Sequence, residues 1–282
     1  MKVSKLHGLG NDFLIAASEE IGLPGISFGP LAQNWCRRHT GIGADGVLFY
    51  QTTVGDPEAD VSALIFNADG SRAEMSGNGT RCLAAWLLHA GILDAKQVRI
   101  RTVSGVRSFV LREQNERTYI FESFLGKPVT EPSRIPVRLE AQSQVLVGYP
   151  LPVGTEVARV TVTSMGNPHC STFWPEVAEA PVETLGPALE HHPCFPNRTN
   201  VEFIQVLDRH NIRVRFWERG VGPTLASGTG SCAAVVAAIL NRLADSPVRV
   251  EVAGGSMMVQ WQPPEELSLT GPAEYICSVD LP

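Results

Sequence analysis

The sequence predicts an α/β (α+β) protein with two similar halves, each built from strands around one buried helix. Short β-rich runs separated by Gly, Pro, Asn or Asp dominate the chain. Two Ala/Leu-rich stretches predict helices, and both are too apolar to lie on a surface. These helices start near Gly77 and Gly228 after similar glycine-rich segments, which indicates an internal repeat.

The composition is that of a soluble two-domain protein. The chain has 282 residues, 44% of them hydrophobic and 18% charged, and a net charge of -6. The acidic balance argues against nucleic acid or an anionic membrane as a partner. The sequence shows no transmembrane run and no N-terminal signal, and its six cysteines are unpaired in pattern, as in reduced cytosolic proteins. CxxC and HExxH motifs are absent, so we expect no metal site.

The individual elements follow from local patterns. The first helix is predicted to end at Gly91, a common stop signal, and the second to run through Leu243. The proline-rich stretch Lys127–Val137 is the best candidate linker. The strand runs are predicted at 98–113, 158–165, 201–208, 211–219 and 248–262.

The two helix starts are candidate anion-binding sites. Ser76 and Ser227 each precede a Gly-x-Gly segment, and a helix N-terminus offers unpaired N–H groups and a positive partial charge. A carboxylate binds well there. The alternative is a serine-capped helix without a ligand. Two copies on buried helices favour a ligand shared between the halves. A phosphate is less favoured, since the lysine of a P-loop is missing.

Seven sequence blocks together resemble the diaminopimelate epimerase family, in that family's order. The blocks are Gly8-Leu9-Gly10-Asn11-Asp12-Phe13, Gly41-Ile42-Gly43-Ala44-Asp45-Gly46, Asn67-Ala68-Asp69-Gly70-Ser71, Ala73-Glu74-Met75-Ser76-Gly77-Asn78-Gly79-Thr80-Arg81-Cys82, Gly166-Asn167-Pro168-His169, Thr199-Asn200-Val201 and Glu218-Arg219-Gly220-Val221-Gly222.

The resemblance implies a fold and an activity. The fold is two pseudo-symmetric domains, each a curled, mostly antiparallel sheet around a central helix, with the ligand in a cleft between them. We expect the domains to be 1–127 plus 272–282 and 128–271. The activity is interconversion of LL- and meso-2,6-diaminopimelate by two-base proton transfer at Cα, a step of lysine and peptidoglycan-precursor synthesis. The resemblance further implies no PLP, metal or nucleotide cofactor, and a cytoplasmic homodimer.

Family roles transfer to individual positions. The resemblance implies that Asn11, Asn67, Asn167 and Asn200 hold polar groups of the substrate. Glu218 and Arg219 match the pair that engages its amino and carboxylate groups. His169 and Glu218 match groups that tune the proton-transfer residues. The backbone donors for the α-carboxylate match Gly77, Asn78, Gly228 and Thr229.

Three positions depart from the family pattern. Ser76 and Ser227 stand where the family has its two acid/base cysteines, and Pro223 stands where it usually has glutamate. A thiol has a reference pKa of about 8.5 and a water-like hydroxyl one of about 15.7. This gap of about 7 units would penalise the anion by roughly 9–10 kcal/mol. Binding should therefore survive while proton transfer largely fails. We expect the two serines to face each other across the cleft.

Three explanations of the serines remain open. They are an engineered double substitution, a natural relative that binds without turnover, and a natural relative with another substrate or chemistry. Pro223 favours natural divergence, because an active-site variant would not need it.

Restoring both cysteines should restore the family reaction. We expect Ser76→Cys with Ser227→Cys to raise epimerase activity by about three orders of magnitude or more, because half of the anion penalty already accounts for that factor. Either single change should restore far less, since inversion needs both an acid and a base. The measurement is the rate of Cα inversion of diaminopimelate. A double variant that binds the amino acid but does not invert it would contradict this prediction.

Overall fold

The computed structural model describes residues 1–21, 27–53, 55–139 and 145–281. The chain divides into two compact units, Met1–Phe124 with the segment from Thr270 onward, and Leu125–Leu269. The proline-rich stretch Lys127–Val137 lies within the second unit, where Val129 bridges to Ser164. In the described part of the chain, no helix combines the length and the apolar character needed to span a membrane.

In the described ranges, the first unit contains two α-helices and nine strands, and strands both precede and follow each helix along the chain. Helix α1 is Phe28–Trp35 and helix α2 is Gly77–His89. The strands are β1 Lys2–Gly8, β2 Asn11–Ala17, β3 Gly46–Thr52, β4 Val61–Asn67, β5 Arg72–Ala73, β6 Gln97–Thr102, β7 Gly105–Gln114, β8 Thr118–Phe124 and, from late in the chain, β17 Ser268–Asp280.

The strands of the first unit close into a ring around α2. Neighbouring strands pair in the order β17, β1, β2, β3, β4, β6, β7 and β8, and β8 pairs back with β17. The β2–β3 and β4–β6 pairs are parallel, whereas the other pairs with an assigned direction are antiparallel. The short strand β5 lies beside β4.

The alternation of side chains along β2 explains how the ring is packed on both faces. Phe13 and Ile15 belong to the core around α2, while Leu14 and Ala16 belong to a second core beneath α1. Successive strand residues point to opposite faces, so an apolar run of this length suits a strand covered on both sides. Helix α2 is accordingly buried from Asn78 to Leu87.

The second unit contains the remaining elements. Its helices are α3 Val182–Glu190 and α4 Gly228–Leu240. Its strands are β9 Leu146–Val153, β10 Glu156–Ser164, β11 Pro168–Phe173, β12 Asn200–Asp208, β13 Asn211–Glu218, β14 Gly222–Thr224, β15 Val248–Val252 and β16 Gly255–Gln260.

The second unit repeats the element order of the first. Strands β10 to β16 pair as β10–β11, β11–β12, β12–β13, β13–β15 and β15–β16, with β11–β12 and β13–β15 parallel. These two parallel pairs correspond to β2–β3 and β4–β6, and β14 corresponds to β5. Helix α4 follows β14 as α2 follows β5, and it is buried from Gly230 to Ala238. The predicted pseudo-symmetric fold of curled sheets with central helices is confirmed.

The predicted elements agree with the structure apart from their ends and from two strand runs that are each divided in two. The run 248–262 forms β15 and β16. The run 98–113 forms two strands, β6 and β7, because a turn at Val103 and Ser104 divides it. Gly91 follows the end of α2 with φ of 67°, a conformation that favours glycine. The second helix ends at Leu240, earlier than the predicted Leu243.

Two glycines in the first turns of the central helices should be intolerant of a side chain. A Cβ at Gly230 would lie 2.9 Å from Phe216 Cδ1, and one at Gly79 would lie 3.0 Å from Leu48 Cδ1. We expect Gly79→Ala and Gly230→Ala each to lower the free energy of unfolding by about 1–3 kcal/mol. Urea unfolding measures this.

Each helix start also provides a matched control. A Cβ at Gly77 or Gly228 meets no atom within 4 Å. Alanine there should change stability by less than about 0.5 kcal/mol. Equal effects at all four glycines would contradict the packing that we describe.

Candidate active site

The start of α2 carries a capped turn with free donors. Ser76 is the N-cap, and its Oγ accepts a hydrogen bond from the Gly79 N–H at 3.1 Å. The Thr80 hydroxyl donates to the Ser76 carbonyl at 2.7 Å. The N–H groups of Gly77 and Asn78 have no acceptor inside the helix, because the first turn of any helix lacks one. This start can therefore receive an anion.

The start of α4 has the same geometry. Ser227 is the N-cap, with φ and ψ of −133° and 123°, against −140° and 115° at Ser76. Its Oγ accepts from the Gly230 N–H at 3.2 Å, which leaves the N–H groups of Gly228 and Thr229 without helical acceptors. Pro223 of β14 pairs with Trp217 of β13. The Ser227 cap that follows has the same backbone geometry as the Ser76 cap.

A chain of hydrogen bonds joins the polar residues near the start of α2. Asn11 donates from Nδ2 to Asp45 Oδ2 at 2.8 Å and accepts at Oδ1 from Asn78 Nδ2 at 3.2 Å. Asn78 Oδ1 in turn accepts from the buried Arg81 at 2.7 Å. Two of the predicted ligands, Asn11 and Asn78, thus contact each other directly. Their amides are oriented by the charged groups at either end.

A cluster of charges fixes the strand that begins at Asn11. Arg38 and Lys5 contact the Asp12 carboxylate at 2.9 Å each, and the Asp45 N–H donates to it at 3.0 Å. Burial opposes the charge of Asp12, but the hydrogen bonds from Arg38 and Lys5 outweigh it and lower the pKa of this carboxyl. Arg38 also contacts Asp45 at 2.6 Å. The cluster therefore holds Asp45 against Asn11.

The remaining asparagine of the first unit lies at the end of β4. Asn67 pairs with Gly46 of β3, and Gly46 pairs with Phe13 of β2, so Asn67 and Asn11 belong to the same end of the sheet. The Asn67 side chain is exposed and donates to Ser71 Oγ at 2.9 Å.

A buried triad supports the histidine of the second unit. His169 Nδ1 lies 2.6 Å from Glu202 Oε1, and Ser171 donates to Glu202 Oε2 at 3.0 Å. His169 Nε2 lies 2.9 Å from Asn167 Oδ1. All of these side chains except Asn167 are buried. The ring is therefore held by a carboxylate on one side and by the partly exposed Asn167 on the other.

Asn200 links two segments of the second unit through its amide. Its Oδ1 accepts from the Arg219 N–H at 3.0 Å, and its Nδ2 donates to the Pro168 carbonyl at 3.1 Å. The Arg219 guanidinium donates to the Asn197 carbonyl at 3.1 Å and is otherwise exposed. Asn200 thereby ties the start of β11 to the end of β13.

Glu190 stabilises the turn that follows Glu218. This buried carboxylate, at the end of α3, accepts from Trp217 Nε1 at 2.7 Å and from the Gly220 N–H at 2.8 Å. Arg198 lies 3.5 Å away and offsets its charge.

Glu218 of the second unit has a carboxyl with a raised pKa. It lies at the end of β13, partly accessible to solvent, and accepts from the Thr224 hydroxyl at 2.8 Å. Burial raises the pKa of Glu218, an effect that the Thr224 and Ser227 hydroxyls and the charge of His169 only partly offset. A carboxyl with a raised pKa holds its proton more tightly than an ordinary one.

Comparison with known proteins decides the family. A family profile described as diaminopimelate epimerase matches residues 3–130 and 161–276. The diaminopimelate epimerase of Pelotomaculum thermopropionicum is 42% identical over 282 residues, covering 100% of this chain and 99% of the relative. Diaminopimelate epimerase 1 of a Nostoc species is 42% identical over 279 residues, covering 98% of each. The chain belongs to the diaminopimelate epimerase family.

Solved structures share the fold at low sequence identity. A PhzF-family phenazine biosynthesis protein from Bacillus anthracis has a TM-score of 0.70 at 15% identity, covering 100% of this chain and 99% of that one. A hydroxyproline epimerase from Agrobacterium vitis, with bound trans-4-hydroxy-L-proline, has a TM-score of 0.66 at 15% identity, covering 99% and 91%. The fold is thus shared with a PhzF-family protein and with a hydroxyproline epimerase.

Within each unit, the structure groups the residues that the family resemblance predicted. In the first, Asn11 and Asn78 meet beside the α2 start, with Asn67 on the same sheet end. In the second, Asn167 contacts His169, Asn200 contacts Arg219, and Glu218 lies near Ser227.

The supporting residues were not predicted from the sequence. They are Asp45, Glu190, Glu202 and Thr224. Glu202 had a signal, because it follows Asn200 by two residues in a strand and so shares its face. Asp45 lies within a quoted family block, but nothing in the sequence pairs it with Asn11.

Asp12 should make the free energy of unfolding depend on pH in the acidic range. The pKa of this carboxyl in the folded state is below its ordinary value of 3.8. Its stabilisation is therefore fully present above that value and is lost as the pH falls through the lower folded-state pKa. We expect Asp12→Asn to cost about 1–3 kcal/mol at pH 7, and this difference should shrink below pH 4. Urea unfolding across pH measures it. Asp280→Asn, at an exposed position, should show neither effect.

Proposed function

We propose that this chain binds a diaminopimelate-like amino acid through its helix starts at α2 and α4 and acts on its Cα–H bond, with inversion strongly slowed by Ser76 and Ser227. The observation that carries the proposal is the pair of matching helix starts, each a serine cap followed by N–H groups that have no acceptor within the helix. Family membership supports diaminopimelate as the substrate class.

The helix starts supply the chemistry that an amino-acid carboxylate needs. Backbone N–H groups of Gly77 and Asn78, and of Gly228 and Thr229, can donate to carboxylate oxygens, and the helix dipoles favour the negative charge. The absence of a Cβ at Gly77 and Gly228 lets a ligand approach closely. Loss of the Cα proton places more negative charge on the carboxylate, so the same donors would stabilise the transition state.

The surrounding polar residues fit a zwitterionic ligand. Asn11, Asn67, Asn167 and Asn200 are proposed to bind its polar groups. Asn11 and Asn200 also orient their surroundings, because both amides already bond to protein groups. The proposed partners of the amino and carboxylate groups are Glu218 and Arg219. His169 and Glu218 are proposed to tune the proton-transfer residues. This reaction needs no PLP, metal or nucleotide.

Two other functions would use the same site. The serines favour a protein that binds the amino acid without turnover, because a hydroxyl is a poor acid and base at neutral pH. A racemase for another amino acid would share the helix starts and differ at the distal contacts. We further propose, from the family, a cytoplasmic homodimer.

Filling the helix starts should remove binding without unfolding the protein. We expect Gly77→Ala and Gly228→Ala to weaken binding of meso-diaminopimelate, and the valine variants to weaken it more, because each side chain would occupy the approach of the carboxylate. Isothermal titration calorimetry measures the affinity, and thermal unfolding checks that stability is kept. Lysine and proline, titrated in parallel, distinguish the alternative substrates. Equal affinity of wild type and all four variants would overturn the proposed site.

A further inference from the structure

A cavity of about 340 Å³ opens inside the ring of the first unit, at the C-terminal end of α2. Its walls include Ile15 and Tyr50, which belong to the core around α2, and Trp86 and His89 from the last turn of that helix. Helix α2 has 13 residues, so about 20 Å separates this cavity from the Ser76 cap at the other end. The cavity is therefore distinct from the helix start that we propose to bind substrate.

Aromatic rings form one wall of the cavity. The Tyr275 ring stacks on the His89 ring, with their centroids 4.1 Å apart. It is also nearly parallel to the Trp86 ring, at a centroid distance of 6.2 Å. The Tyr275 hydroxyl lies 2.9 Å from Ser278 Oγ, within hydrogen-bond distance, and Tyr50 is buried beside this wall. The rings are thus held in position by the protein itself.

The ammonium group of Lys2 lies over this aromatic wall. Its Nζ is 5.8 Å from the centroid of the Trp86 ring, within the range at which an aromatic face attracts a cation. Lys2 is an exposed residue at the start of β1, and a lysine side chain is a flexible stem with four carbons. It can therefore leave the ring when another ammonium ion arrives. Lys2 thus indicates the type of group that the wall attracts.

Other charges around the cavity also favour a cation. The C-terminal end of a helix carries a negative partial charge, and α2 ends here. The Glu20 carboxylate lines the cavity and accepts from the Lys2 backbone N–H at 3.0 Å. Burial, with the charges of Arg117 and Lys2 acting in the same direction, lowers the pKa of His89, so this ring is neutral near pH 7. Arg117 opposes a cation but does not line the cavity.

We propose that this cavity binds a small organic ammonium ion on a short apolar chain, which displaces Lys2 from the Trp86 ring and pairs with Glu20. The apolar chain of the ligand would pack against Ile15 and Ala17, which also line the cavity. Aromatic faces beside a carboxylate are a common arrangement for recognising ammonium groups. This site goes beyond the proposed function and does not depend on it, because its residues are separate from the helix starts.

The first test compares probes of one size and different charge. Isothermal titration calorimetry with n-butylammonium chloride should show binding in the millimolar range, whereas 1-butanol and butyrate should bind more weakly, because the site selects a positive charge. Glu20→Gln should weaken n-butylammonium binding by about twofold or more. Glu19→Gln removes the same charge from a neighbouring exposed residue that does not line the cavity, so it is the matched control and should change little.

Variants of the cation and of the ring give an independent test. Lys2→Ala removes the competing ammonium group, so n-butylammonium should bind about fivefold more tightly. Lys96→Ala, at another exposed lysine of the same unit, is the control and should have no such effect. Trp86→Leu should weaken binding by about fivefold, and Trp86→Phe by less, because phenylalanine keeps an aromatic face. Thermal unfolding checks both Trp86 variants, and the Lys2 variant provides the test if either is unstable.

Several results would overturn the proposal. Equal binding of n-butylammonium, 1-butanol and butyrate would contradict the selection for a cation. Equal effects of Glu19→Gln and Glu20→Gln, or of Lys2→Ala and Lys96→Ala, would indicate a general attraction of cations to an acidic protein. Gly77→Val, which should weaken binding of diaminopimelate, should leave the affinity for n-butylammonium unchanged, and a loss there would assign the probe to the helix start instead. If diaminopimelate does not bind at all, the proposed function fails while this site stands.

Discussion

A helix enclosed by strands is the constraint on which the rest of this structure depends. The wall of strands leaves little room inside, so α4 consists mainly of small residues, and Phe216 approaches Gly230 too closely for a side chain there. Enclosure also leaves only the helix ends free. The first N–H groups of each helix must then bind a cap, water or a ligand. The same packing that stabilises each unit thus creates a polar opening in it.

The polar residues around these helix starts already form hydrogen bonds within the protein. Asn11 is held between Asp45 and Asn78, and Asn200 between the Arg219 N–H and the Pro168 carbonyl. Because their amides are already oriented, little conformational entropy remains to be lost when a substrate binds. The side chains that we propose to bind the substrate are therefore oriented before it arrives.

The sequence predicted the parts of this fold that depend on local pattern. The central helices were recognisable because their apolar runs follow glycine-rich starts, and the β-rich runs corresponding to β10, β12, β13, β15 and β16 were evident. Long-range pairings were not predictable. Nothing local indicates that β17 belongs beside β1, or that Glu202 and His169 share a buried hydrogen bond. In the site, the family blocks identified the residues, whereas Glu190 and Thr224 act through tertiary contacts that no short motif records.

Strand β17 connects the architecture to the order of events during synthesis. It pairs with β1 and β8 and closes the ring of the first unit, yet it is made only after the whole second unit. A ribosome producing this chain from its N-terminus releases first a ring with one strand missing, whose edges on β1 and β8 have unpaired backbone groups. The second unit can fold meanwhile from contiguous sequence. Of the two enclosed helices, α2 is therefore synthesised first, but its ring is completed last.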